Sequence, residues 1–178
     1  MPIYTHILSK YPNPVFIETG SYRGAGIGIA LQCGFESIWS VELDPARANA
    51  VQQRYQAESR VHVGVGDSAE WLNVLLPTIH QPATFWLDAH PCHNGLTFET
   101  CPLERELIAI LNHFKSRATI LIDDMSAFDP ALITRMKELI LMLSPNYKFI
   151  RENNGKRGLP DDILVATLGH TPQLATTR

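Results

Sequence analysis

Five apolar runs constrain this chain more than any other feature in it: VFIE, SIWSVEL, VHVGV, ATFWLDA and ATILIDD, each followed by a polar turn and then a stretch of helical periodicity. A strand that reads as a near-continuous apolar run is buried on both faces, and regular alternation with helices calls for a parallel sheet covered on both sides. Helical periodicity runs from about Ala25 to Cys33, with Gly34 where a left-handed cap belongs. Asp44 and Pro45 supply an N-cap and first-turn proline for a helix through about Ala57. DSAEWLNVLLPTI reads as a capped helix with Trp71, Leu72, Leu75 and Leu76 on its apolar face, and further helices fall in PLERELIAILNHF and PALITRMKELILML.

The last two apolar runs, YKFIRE and DILVATL, are separated only by NNGKRGLP. A parallel crossover needs a dozen or more residues, so these strands form an antiparallel hairpin and the sheet ends with one reversed strand. The expectation is a doubly wound, Rossmann-like α/β domain with a mostly parallel seven-stranded sheet.

The chain has 178 residues, 45% of them hydrophobic, which suits one compact domain over 1–178, with a helical lead-in over 1–13 and a tail over 170–178. Net charge is −3 with scattered basic residues, so no electrostatic footprint for nucleic acid is present and none is expected as a partner. The first residues, MPIYTHILSKYPNP, lack the layout of a secretory leader, and no run nears the roughly 18 apolar residues of a membrane span. Three cysteines make no disulfide framework, and Cys33 sits on an apolar helical face. A cytoplasmic protein without membrane contact is the expectation.

Ligands of open parallel sheets bind beyond the carboxyl ends of the strands, where strand order reverses. Those ends carry Glu18 and Gly20; Glu42 and Asp44; Gly66, Asp67 and Ser68; Asp88 and His90; Asp123 and Asp124. Every strand delivers a carboxylate to one rim, which would be repulsive unless a cation or a polyhydroxyl ligand used them.

The loop ETGSYRGAG narrows the ligand. It lacks the Lys-Ser or Lys-Thr pair of a P-loop, and Gly20, Gly24, Gly26 and Gly28 miss the dinucleotide spacing. Glu18 would also lie close to a pyrophosphate. S-adenosylmethionine, cationic and free of phosphate, suits the loop better. Gly20 would let backbone approach it, Gly24 and Gly26 would allow a close turn, Glu42 would accept from the ribose hydroxyls, and Asp67 and Ser68 would lie near the adenine.

FIETGSYRGAG, SVELDP, VGVGDSAEWL, FWLDAH, CPLERELIAIL and ILIDDM, in this order over roughly 15–169, make the chain resemble the class I S-adenosylmethionine-dependent methyltransferases. It is most similar to small bacterial methyltransferase-like proteins and to the metal-dependent O-methyltransferases of the catechol and macrolide-sugar types. The resemblance implies a seven-stranded sheet with a reversed hairpin and methyl transfer to an oxygen of a small-molecule acceptor. It implies cofactor contacts from Glu18, Gly20, Ser21, Gly24, Glu42, Asp67, Ser68 and Asp88. It further implies Mg²⁺ as a second cofactor, held by Asp88, Asp123 and Asp124.

His90 and His93 are the candidate bases, with His90 favoured beside Asp88. Cys92, His93 and Cys101 raise a zinc alternative that lacks a paired C-x-x-C signature and an evident fourth ligand. Arg23, Glu106 and Trp86 are further candidates near the rim, for which a salt bridge between the first two and core packing of the third are equal explanations. Only about a dozen residues precede the first strand, so the substrate cover is small, comes from the His90–Cys101 loop, or is donated by a second subunit in a homo-oligomer. Two other functions stay open: a non-catalytic binding domain of the same fold, and a metal-dependent hydrolase or lyase using Asp88, Asp123 and Asp124.

Overall fold

In the computed structural model, which describes residues 3–90, 96–97, 99–153 and 162–168, all of the anticipated strands form. They are β1 (Val15–Thr19), β2 (Ser37–Glu42), β3 (Val61–Val65), β4 (Ala83–Leu87), β5 (Ala118–Ile122), β6 (Lys148–Glu152) and β7 (Ile163–Thr167), and the sheet order is β3-β2-β1-β4-β5-β7-β6. The helices are α1 (Thr5–Leu8), α2 (Ala25–Gln32), α3 (Pro45–Arg54), α4 (Ser68–Leu75), α5 (Leu103–His113) and α6 (Pro130–Leu143).

Side chains alternate across a strand, and that alternation divides the core. Val15 and Ile17 of β1, Phe85 and Leu87 of β4, and Ile120 and Ile122 of β5 join α4, α5 and α6. Phe16, Trp86 and Leu121, one residue out of step, join α1, α2 and α3 on the opposite face. Trp86 is therefore a core residue, fully buried, as its packing explanation required.

The reversed strand is where hairpin length demanded it in sequence, but it does not lie at the edge. β7 runs antiparallel to both β5 and β6 and sits between them. Composition explains the choice: all five residues of β7 are buried, whereas KFIRE of β6 has exposed Lys148, Ile150 and Arg151 and no fully buried residue. A charged strand at the edge also discourages pairing with other chains.

Aspartate caps hold three helices, the first two as expected. Asp44 accepts from the amides of Ala46 and Arg47, Asp67 from those of Ala69 and Glu70, and Asp129 from that of Ala131. Each such cap contributes about 1 kcal/mol. Helix α3 ends at Arg54, a turn earlier than its periodicity suggested, and the lead-in contributes only the single turn of α1, which buries Ile7 and Leu8. No helix of the described residues is long and apolar enough to cross a membrane.

Gly64 in β3 shows how closely α4 meets the sheet. A Cβ there would overlap the indole Nε1 of Trp71. Gly64→Ala is expected to lower stability by about 1–3 kcal/mol, the usual cost of overpacking. Urea denaturation of the two proteins measures it, with the midpoint falling and the m-value unchanged.

Candidate functional site

Strand order reverses between β1 and β4, so the carboxyl ends of β1, β2 and β4 open around one crevice. In the register of these strands Glu18 lies beside Ser40, and Thr19 lies between Val41 and Leu87. The chain leaving β1 must turn at once without filling the crevice. Gly20 does this at φ +85°, where a Cβ would stand 2.7 Å from the Asp88 carbonyl oxygen. The amides of Gly20 and Ser21 both donate to the Val41 carbonyl, at 2.9 and 3.0 Å. Gly24, at φ +75°, begins α2 and its carbonyl accepts from the Tyr55 hydroxyl at 2.8 Å.

Glu18 lies beneath this loop, 3% exposed. Its Oε2 accepts from the Ser40 hydroxyl at 2.6 Å, and Ser40 is 2.7 Å from the Ser21 hydroxyl. A Cβ on Gly26 would overlap Glu18 Oε1, so the bare first turn of α2 makes room for the carboxyl group. Burial pushes Glu18 up to about 8; the Ser40 hydrogen bond opposes this and the Glu42 charge adds to it. Glu42, also buried, is held by its neighbours' backbone: Oε2 accepts from the Tyr22 amide at 2.7 Å and Oε1 from the Asp44 amide at 3.1 Å. Each oxygen keeps a second lone pair for an incoming hydroxyl.

Asp67 and Ser68 follow β3 as expected, but Asp67 is already engaged. Besides capping α4 it pairs with Arg105 through both oxygens, at 3.0 and 3.1 Å. Burial raises its pKa, but hydrogen bonds from Glu70, Arg105 and Ala69 outweigh burial and leave it below the ordinary carboxylate range. Arg105, rather than Arg23, is thus the arginine of this corner. Glu106 makes no salt bridge with Arg23; it lies on α5, 1% exposed, and its buried Oε1 has no hydrogen-bond partner among the described residues. Burial, relieved in part by the neighbouring Ser68 and Thr19 hydroxyls, pushes it up to about 7.

At the ends of β4 and β5 the structure brings together two of the implied ligands, Asp88 and Asp124, with His90 beside them. One ligand atom each from Asp88, His90 and Asp124 lie within 4.8 Å of one another, and His90 Nε2 is 3.5 Å from Asp88 Oδ1. Asp123 is 1% exposed and is not part of this group. Asp124 stands at φ +53°, an uncommon left-handed turn that Asp tolerates better than most residues. The His90 ring meets Phe128 edge-on at 5.1 Å. His93 and Cys92 lie outside the described residues, and Cys101 is buried.

Two features went unread in the sequence. Leu43 and Val65 are 71% and 45% exposed, unusual for apolar residues next to a strand end, and they flank the Glu42 position. Leu43 directly follows the acid of β2, a position that could have drawn attention. Asp162, distant in sequence, accepts from the Ser126 amide at 2.7 Å and so supports the turn that carries Asp124; no local signal marks it.

No protein-family profile and no curated protein matches the sequence. Solved structures do match the fold. An O-methyltransferase from Bacillus cereus in complex with S-adenosylhomocysteine is 14% identical, with TM-score 0.68 over 91% of this chain and 77% of that one. An O-methyltransferase of tomaymycin synthesis from Streptomyces achromogenes, in complex with S-adenosylmethionine, is 14% identical, with TM-score 0.62 over 92% and 77%. A Podospora anserina methyltransferase bound to S-adenosylhomocysteine is 13% identical, with TM-score 0.62 over 93% and 76%. The chain has the fold of the class I S-adenosylmethionine-dependent methyltransferases.

The two raised carboxyl groups set a pH dependence. Below about pH 4.5 they are protonated folded or unfolded; between there and about 7 for Glu106 or 8 for Glu18 the folded state holds protons that the unfolded chain releases. Their contribution to stability therefore falls as pH rises through this window and levels off above it. Denaturation midpoints at pH 6 and pH 8.5 should show the loss, and Glu18→Gln should lose less between the two values than the parent protein.

Proposed function

We propose that this chain transfers the methyl group of S-adenosylmethionine to an oxygen of a small acceptor. One observation carries the reading: a cradle at the strand-order reversal, floored by a β1–β4 crossing so close that a Cβ at Gly20 would meet the Asp88 backbone, beside a buried acid, Glu42, whose oxygens are fixed by backbone amides. Such a cradle fits a nucleoside with free ribose hydroxyls, and an adjacent carboxylate disfavours a phosphate there. The neighbouring folds solved with S-adenosylmethionine or its product support the same cofactor.

The residues divide the task as follows. Glu42 accepts from the ribose hydroxyls, and Leu43 with Val65 flanks the adenine. Gly20, Ser21 and Gly24 bring backbone close to the rest of the cofactor, with Asp88 on the far side of the crossing and Ser68 at the adenine end. Asp67 acts there indirectly, since Arg105 and the α4 cap occupy its oxygens. Glu18 lies under the loop as a buried acid that a nearby positive charge would help to ionise. When bound, S-adenosylmethionine supplies an electrophilic methyl group, its sulfur keeping the electron pair of the broken bond. His90, held beside Asp88, takes the proton from the acceptor hydroxyl. Much of the acceleration comes from alignment rather than side-chain chemistry.

The clustering of Asp88, His90 and Asp124 favours a second reading of that corner, as a divalent-cation site. Two carboxylates and an imidazole fit such an ion, although Mg²⁺ prefers oxygen alone and the imidazole suits Mn²⁺, Fe²⁺ or Zn²⁺ as well. A bound cation would lower the acceptor's pKa. A ring nitrogen that ligates a cation has no lone pair left for a proton, so that atom of His90 serves one role or the other.

Glu42→Ala should weaken S-adenosylhomocysteine binding by about tenfold to a hundredfold, the range for losing charge-assisted hydrogen bonds, as calorimetry would record. The two readings of His90 part on chelation. If His90 is the base, turnover across a panel of hydroxylated acceptors persists in EDTA and is lost in His90→Ala. If it is a ligand, EDTA abolishes turnover and Mn²⁺ or Mg²⁺ restores it. Tight cofactor binding without turnover of any acceptor would contradict the enzymatic reading.

A further inference from the structure

We propose that the groove between the Tyr22–Arg23 turn and α3 is a second binding site, for a phosphate-bearing small molecule. The groove is open to solvent, offers about 470 Å³, and none of the residues assigned above to the nucleoside cradle lines it. That volume falls in the range of small-molecule sites, roughly 300–1,000 Å³. Its floor is Ala46, Ala50 and Val51 of α3, where small side chains one turn apart leave space. Its walls carry Arg23, Arg47 and Arg54.

These three cations are gathered in a chain whose net charge is −3, and they are poorly neutralised. Among the described residues, neither Arg23 nor Arg54 makes an ion pair; Arg54 donates to the Arg23 carbonyl at 3.1 Å. Arg47 reaches Asp44 only at 3.7 Å, while Asp44 Oδ1 is taken by the cap of α3. What holds two of the guanidinium groups is an aromatic ring: Arg23 and Arg47 each lie 5.2 Å from the centre of Tyr22, which stands at φ +48°. A ring orders the cations without cancelling their charge. Three guanidinium groups around an apolar floor supply the forked, positively charged donors that a phosphate ester or diphosphate takes. The basic groups are confined to one short groove, unlike the long stripes that follow a nucleic-acid backbone.

This inference stands without the methyl-transfer reading. Inorganic pyrophosphate is the first probe, titrated by calorimetry at low and physiological salt, with backbone NMR to locate it. The expected result is one saturable site, weaker at higher salt, with shifts confined to the Ala46 and Ala50 amides and the Tyr22–Arg23 turn. Affinity should fall about tenfold or more in Arg54→Ala and in the double variant Arg23→Gln with Arg47→Gln, all exposed positions. ADP binding more tightly than pyrophosphate would assign the phosphate to a free nucleotide, and glucose 6-phosphate doing so would assign it to a phosphorylated acceptor. Absence of saturable binding, unchanged affinity in the variants, or a single-stranded RNA that binds more tightly than any of these small probes would overturn the proposal.

Discussion

The site depends on how closely two backbones cross. Gly20 leaves β1 against the Asp88 carbonyl leaving β4, and a Cβ at that position would stand at 2.7 Å. The crossing lies where strand order reverses, so it sets the floor of the crevice and the direction in which the loop to α2 departs. Ser21, Tyr22 and Gly24 take their places from that departure. The Tyr22 amide in turn fixes one oxygen of Glu42, so an acid on β2 is positioned by a loop that begins on β1.

Around this crossing the protein stores carboxyl groups in two ways. Glu42 is ordered by backbone amides, whereas Glu18 accepts from the Ser40 hydroxyl and sits where a glycine in α2 leaves a gap. Burial pushes Glu18 up to about 8, so it holds its proton near neutrality and eases the repulsion among the rim acids. The same arrangement makes ionisation of Glu18 responsive to whatever positive charge enters the crevice.

Much of this was legible in the sequence because the signals are local. Unbroken apolar runs fixed the strands and their parallel sense, a short connection fixed the antiparallel hairpin, and Asp44 and Asp67 cap the helices that follow them as Ser, Asp and Asn do generally. What stayed hidden depends on tertiary choices. Asp124 joins Asp88 from a left-handed turn that Asp162 supports from β7's approach, and His90 rather than Asp123 stands beside them. Asp67 looked available for adenine until Arg105, thirty-eight residues away, closed on it. The place of β7 inside the sheet follows from its burial relative to β6, a comparison between strands rather than a property of either.

The account rests on a phosphate-free nucleoside cradle at the β1–β4 crossing. Calorimetric titration of the purified protein with S-adenosylhomocysteine tests it most directly, with adenosine and ATP as competitors. The account predicts saturable one-to-one binding that ATP does not displace. An absence of S-adenosylhomocysteine binding, or its displacement by ATP, would contradict it.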